Sequence, residues 1–174
     1  MTDRNKIQHT AAYKRCHELF AKNNLKPKLM RLDNEASTML TDYLDSEDVI
    51  HQFFPQGCHP RNSAERAIHT FVNHFVAGLS SCVNNFPLNL WDKLLPQAIL
   101  TLNLMRTSRM NPNLSAWAQV HRQYDFNQTP IGPPGTKIII HEKAEGRPTF
   151  HSHRVLAWYV GPASKHYRCF NQNT

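Results

Sequence analysis

Apolar positions recur along this chain at two spacings, and the change from one to the other organises it. From Thr10 to Asn23, the residues Ala12, Cys16, Leu19 and Phe20 fall at helical spacing; Thr10 can cap this helix and Asn23-Asn24 can stop it. Pro27 sets a turn, and Leu29 to Asp33 reads as a short strand with an acid at its exit. Ala36 to Leu44 is a second helix, striped by Met39, Leu40, Tyr43 and Leu44, and Val49 to Phe54 a second strand closed by Pro55. A loop rich in breakers follows, Pro55-Gln56-Gly57-Cys58-His59-Pro60. A long helix starts at Asn62 or Ser63, both good caps, with Ala64, Ile68, Phe71, Val72, Phe75, Val76 and Leu79 on one face. Leu90 to Met105 is another, with Trp91, Leu94, Leu95, Ala98, Ile99 and Leu102 inward; Pro96 either kinks it or marks its first turn. Ser115 to Tyr124 reads as a short helix.

Beyond Thr129-Pro130-Ile131-Gly132-Pro133-Pro134-Gly135, a linker by composition, the period shortens to that of strands. Thr136 to His141, Phe150 to His153, Val155 to Val160 and Tyr167 to Phe170 are the candidates, with turn signals at Glu145-Gly146 and Gly161-Pro162. Such a unit is too short to bury much core by itself.

The chain has 174 residues, the length of one ordinary domain or of one medium domain with a small appendix. Apolar residues make up 40% and charged residues 19%, a globular balance that excludes a disordered or collagen-like chain. The apolar runs are too short to span a bilayer, and the first residues lack the apolar core of a secretory leader. Cys16, Cys58, Cys82 and Cys169 form no C-x-x-C pair, so free or buried thiols in a reducing compartment are expected rather than a zinc site or a disulfide scaffold. The net charge is +7, and residues 131–174 hold +4 of it: Lys137, Lys143, Arg147, Arg154, Lys165 and Arg168 against Glu142 and Glu145. A basic C-terminal unit suits a polyanion, because neutralising phosphates releases counterions; a generic basic surface is the plainer alternative.

Two carboxylates are candidates for chemistry. Asp33 stands at the carboxyl end of a strand in an αβ layer, where ligands bind. Glu65 lies in the first turn of the long helix and shares a face with His69. The intervening helix, strand and loop can return Glu65 beside Asp33. A divalent cation is the usual answer to two acids in one cleft. Each residue also has a structural reading: Asp33 as a cap for the next helix, Glu65 as an acid at the positive end of its own helix dipole.

The stretch Leu29-Met30-Arg31-Leu32-Asp33-Asn34-Glu35, followed by His59-Pro60-Arg61-Asn62-Ser63-Ala64-Glu65-Arg66-Ala67-Ile68-His69-Thr70-Phe71, resembles the catalytic core of retroelement integrases, and is most similar to the copia-type retrotransposon group. Members carry an Asp-Asn pair at a strand end and an Asn-x-x-x-Glu-Arg helix start; here two residues, Ser63 and Ala64, stand between Asn62 and Glu65. Here 31 residues lie between Asp33 and Glu65, slightly fewer than usual, a deletion that a loop can absorb. Trp91-Asp92-Lys93-Leu94-Leu95-Pro96-Gln97-Ala98 and Asn111-Pro112 resemble the family's helix and loop after the core. Gly132-Pro133-Pro134-Gly135-Thr136-Lys137 and Gly161 to Phe170 resemble its small β extension.

The resemblance implies an α/β, RNase H-like fold in which three acids hold two divalent ions, Mg²⁺ or Mn²⁺, for metal-dependent phosphoryl transfer on DNA. Asp33 would be the second acid and Glu65 the third. The first belongs on the fold's opening strand, and this sequence starts after that point. The expectation is therefore a partial RNase H-like (retroviral integrase-like) core over 1–128 lacking its first strands, a linker at 129–135 and a small basic β-strand unit over 136–174. The chain would be a fragment of a longer polyprotein or a decayed copy, inactive alone. Without the missing strand, Met30 to Asp33 would present an unpaired apolar edge. By the same analogy the helix carrying Glu65, Arg66 and His69 approaches DNA, and Lys137, Arg154, Lys165 and Arg168 supply basic contacts. DNA is the implied partner, a homo-oligomer is compatible and a membrane is not. The nucleus or an intracellular particle is the implied location, not secretion. The alternative class is a non-enzymatic nucleic-acid-binding or assembly module.

Overall fold

The computed structural model of the chain describes residues 3–32, 36–54, 63–141, 152–163 and 170–173. The described residues form a mixed α/β protein with two small sheets, and the chain divides into two compact units, 1–67 and 68–174.

In the first unit the order is α1 (Asp3–Lys22), β1 (Leu29–Leu32), α2 (Thr38–Ser46) and β2 (Ile50–Phe53). β1 and β2 pair in parallel, Leu29 opposite Ile50 and Leu32 opposite Phe53, with α2 as the crossover that parallel strands require. Thr10 was expected to cap α1; it lies inside it instead, because its hydroxyl donates to the Lys6 carbonyl one turn back at 3.1 Å. Both helices close in the same way. Asn24 (φ 56°) and Asp48 (φ 57°) take left-handed backbone. Their N–H groups donate to Ala21 and Asp45, while Leu25 and Val49 donate to Phe20 and Leu44, the paired bonds of a Schellman closure. The core is Leu32, Leu40, Leu44 and Val49, with Tyr13, Met30, Ala36 and Tyr43 against it. Among the described residues β1 and β2 form a two-stranded sheet of their own.

α3 (Ser63–Ser80) begins at the end of the first unit and runs into the second. Its apolar stripe splits into two rows about 60° apart. Phe71, Phe75 and Leu79 are half-buried, with Phe75 edge-on to Trp91 at 6.1 Å between ring centroids. Ile68, Val72 and Val76 are exposed, contrary to the expected single buried face. A 3₁₀ segment, Leu88–Leu94, leads into α4 (Leu95–Met105), with Pro96 in its first turn. The inward positions are Leu94, Gln97 and Leu100; Trp91 and Ile99, expected inside, are half exposed. The rotation brings the Gln97 amide onto the 129–135 segment, where Nε2 donates to the Gly132 carbonyl at 2.7 Å. α5 (Ala116–Val120) is capped by Ser115, whose Oγ accepts from the Ala118 N–H at 3.0 Å.

The Pro/Gly stretch expected as a linker is packed into the second unit. Gly132 N–H donates to the Tyr159 hydroxyl, and Gly135 N–H to the Tyr159 carbonyl. Gly135 has φ 65°, and a Cβ there would stand 2.5 Å from Cys82 Sγ. This segment delivers β3 (Lys137–His141) to β4 (Arg154–Pro162), which pairs in turn with β5 (Phe170–Asn173), both antiparallel. Gly161-Pro162, read as a turn, lies inside β4, where the register to β5 shifts between Tyr159 and Gly161. The strand expected at 150–153 is absent over 152–153, and its first two residues lie outside the described residues, as do the 145–146 turn and residues 167–169 of the last expected strand. Phe86, Leu94 and Val160 form this unit's core, with Trp158 against them.

Candidate nucleic-acid interface

β3 reads Lys-Ile-Ile-Ile-His, and a strand turns alternate side chains to opposite faces. The observed register fixes which residues of β4 share each face. Lys137 pairs with Trp158, Ile139 with Leu156, and His141 with Arg154. In an antiparallel ladder directly opposed residues point the same way. One face therefore carries three cross-strand pairs: a cation beside an aromatic ring, two aliphatic side chains, and an imidazole beside a guanidinium. Lys137, Ile139, His141, Arg154 and Leu156 are all exposed, Ile139 at 61% and Leu156 at 58%. The opposite face, with Ile138, Ile140, Val155 and the buried Ala157, is covered.

The two ends of this face differ. At one end Trp158 packs edge-on against Phe86 at 5.6 Å between centroids, so its ring serves the core, and Lys137 Nζ lies 6.0 Å over that ring. At the other end His141 meets His153 edge-on at 5.9 Å, and Arg154 is tied through its backbone to the Ser152 hydroxyl. Tyr159, on the covered side, is buried, and burial pushes its phenol up although the Gly132 N–H partly offsets this. The covered side is thus apolar and half-buried to buried, while the other face is open and basic.

The other predicted residues stand elsewhere. Glu65 is half-buried in the first turn of α3, where the helix dipole favours an acid, and Arg66 beside it is exposed. His69 is exposed, its Nδ1 accepting from the Asn73 amide at 3.2 Å. His74, one face round, turns inward, its Nε2 2.9 Å from the Thr101 hydroxyl. Asp33, the position immediately after β1, lies outside the described residues, and so do Lys165 and Arg168. Among the described residues no group of three or more His, Cys, Asp or Glu side chains is placed to hold a metal ion, and no helix is long and apolar enough to cross a membrane.

The basic residues Lys137 and Arg154 were visible from charge, and the structure brings both to one face. His141 was visible too, as one of the histidines that add positive capacity to residues 131–174, but charge did not single out Ile139 and Leu156. The period-two pattern of β3 carried that signal, since Ile139 must share a face with Lys137 and His141. No protein-family model matches the chain, and no curated protein does.

Proposed function

We propose that the chain is a nucleic-acid-binding remnant of a retrotransposon integrase core, working in the nucleus or an intracellular particle. The observation that carries the binding half is the exposed β3–β4 face, with Lys137, His141 and Arg154 on one surface. Phosphate contacts from such a face give affinity without sequence information. The integrase half is supported by element order. A helix, a strand, a crossover helix, a parallel strand and a long helix with Glu65 in its first turn follow one another as an RNase H-like core requires after its opening strands.

In this reading Asp33 and Glu65 are the second and third acids of the parent site. Their hard carboxylate oxygens suit Mg²⁺ or Mn²⁺, with substrate phosphate oxygens completing the coordination. The metal would polarise the phosphodiester for attack by a 3′-hydroxyl or water. This chain's own part is to hold the cation at the exit of β1 and the start of α3. Asp33 and Glu65 are two of the three acids that the reading implies, so these 174 residues assayed by themselves are not expected to turn over.

Two measurements test the proposal. Binding of the full chain to duplex DNA should weaken steeply with salt, and Lys137→Gln with Arg154→Gln should flatten the log–log slope by about 2, near one unit per lost phosphate contact. An unchanged slope would remove this face as the contact. A strand-transfer assay with Mn²⁺ should stay at background; turnover abolished by Glu65→Gln would show a working enzyme instead. The second reading, a non-enzymatic binding or assembly module, needs only the same β3–β4 face.

A further inference from the structure

The composition of the β3–β4 face says which form of nucleic acid it suits. We infer that this face takes single-stranded rather than duplex nucleic acid, an inference that rests on the nucleic-acid reading above and concerns the same surface. Its centre is not basic. Between Lys137 at one end and the His141–Arg154 pair at the other lie Ile139 and Leu156, directly opposed across the ladder and both more than half exposed. At about 3.3 Å per residue the two cationic ends are about 13 Å apart along the strand.

A duplex meets a flat surface with its phosphates outermost. Pressed against this face, it would bring phosphate oxygens onto Ile139 and Leu156, which offer no hydrogen bond for the water they displace. A single strand has the complementary pattern. Its unstacked bases present apolar faces that cover the aliphatic pair, while its phosphates reach the flanking cations. Charge complementarity is kept at both ends, and apolar surface meets apolar surface between them. Trp158 adds no free stacking platform, since Phe86 already holds its ring. The discrimination therefore falls on the aliphatic pair.

The test measures fluorescence anisotropy of the full chain with a labelled oligo-dT strand and with a labelled duplex of equal length at one salt concentration. The expected result is binding about tenfold tighter to the single strand, the scale that covering two half-exposed aliphatic side chains supplies. Ile139→Thr combined with Leu156→Thr places a strand-favouring β-branched residue at both positions and should bring the two affinities within about twofold while leaving the salt slope unchanged. A thermal melt of that variant checks its fold, and Leu156→Thr alone, expected to lose part of the preference, provides a milder version. Equal or tighter duplex binding, or a preference that survives both substitutions, overturns this inference and leaves the nucleic-acid reading standing. Absence of binding to either form overturns both.

Discussion

Gly135→Ala distinguishes a packed segment from a flexible linker by the sign of its effect. In a flexible linker the added methyl restricts the unfolded chain and stabilises by about 0.4–1 kcal/mol. In this structure two costs oppose it. Gly135 sits at φ 65°, where a Cβ costs about 1–2 kcal/mol. That Cβ would also stand 2.5 Å from Cys82 Sγ, 2.8 Å from Cys82 Cβ and 3.2 Å from Phe86 Cδ2. Overpacking of this kind costs about 1–3 kcal/mol, so the expected loss is about 3 kcal/mol. The chain's tryptophans are Trp91, Trp117 and Trp158, all within 68–174, so tryptophan fluorescence in urea reads the second unit alone. Cys82→Ala in the same background removes the sulfur but not its Cβ, and should recover part of the loss, about 1 kcal/mol of coupling. A neutral or stabilising Gly135→Ala would refute the packed 129–135 segment. A full loss with no recovery would assign the cost to backbone strain and the remaining Cβ and Phe86 contacts rather than to the sulfur.

Two other outcomes follow from the same unit. Gly78 lies inside α3 with nothing within 4 Å of a built Cβ, so Gly78→Ala should stabilise by about 1 kcal/mol through helix propensity; a thermal midpoint that stays put or falls would contradict the open space there. Burial raises the Tyr159 phenol above its ordinary 10.0, so the stability it contributes is complete below that value and is lost as pH rises through the higher folded-state value. Melting temperature should fall above about pH 10, and Tyr159→Phe should start lower at neutral pH, having lost the Gly132 bond, yet decline less steeply in alkali. Tyr124, raised by burial as well, leaves a residual decline, and an alkaline slope identical to the parent's would refute the assignment.

Much of the helical framework was legible because a helix is announced by its own period. α3 falls where apolar spacing puts it, α1 ends where expected but starts earlier, at Asp3, and α4 takes only the later part of the expected 90–105 helix; Pro96 sits in a first turn, where its missing N–H costs nothing. Periodicity says which residues are able to be buried, while the breadth of the surface they meet decides which ones are. That is why Ile68, Val72 and Val76 stay outside while Phe71 and Phe75 do not, and why Gln97 displaced Ile99 from the inner face of α4. Composition misled at 129–135 for a related reason. Pro and Gly describe a backbone with restricted or unusual φ, and a glycine in left-handed backbone is as useful in a packed corner as in a loose one. For the candidate interface the charges were legible and the register was not. Lys137 and Arg154 share a face only because Lys137 aligns with Trp158 and His141 with Arg154; a slip of one residue would send Arg154 to the covered side.

The register that makes the face is held away from the face itself. Gln97, Gly132 and Gly135 clamp β4 around Tyr159, Phe86 holds Trp158, and β5 pairs with β4 only from Trp158 onward. The half of the sheet bearing Ile139, His141, Arg154 and Leu156 contributes no residue to the buried core of this unit. Stability and binding should therefore separate. Substitutions at Gly135 or Gln97 move the unfolding transition and disturb binding only by shifting the register, whereas Ile139→Thr and Leu156→Thr change which nucleic acid binds at an unchanged transition. An exposed aliphatic pair that no stability requirement explains is the kind of surface that marks an interaction site, and in the proposed nucleic-acid reading its flanking cations are there to meet phosphates.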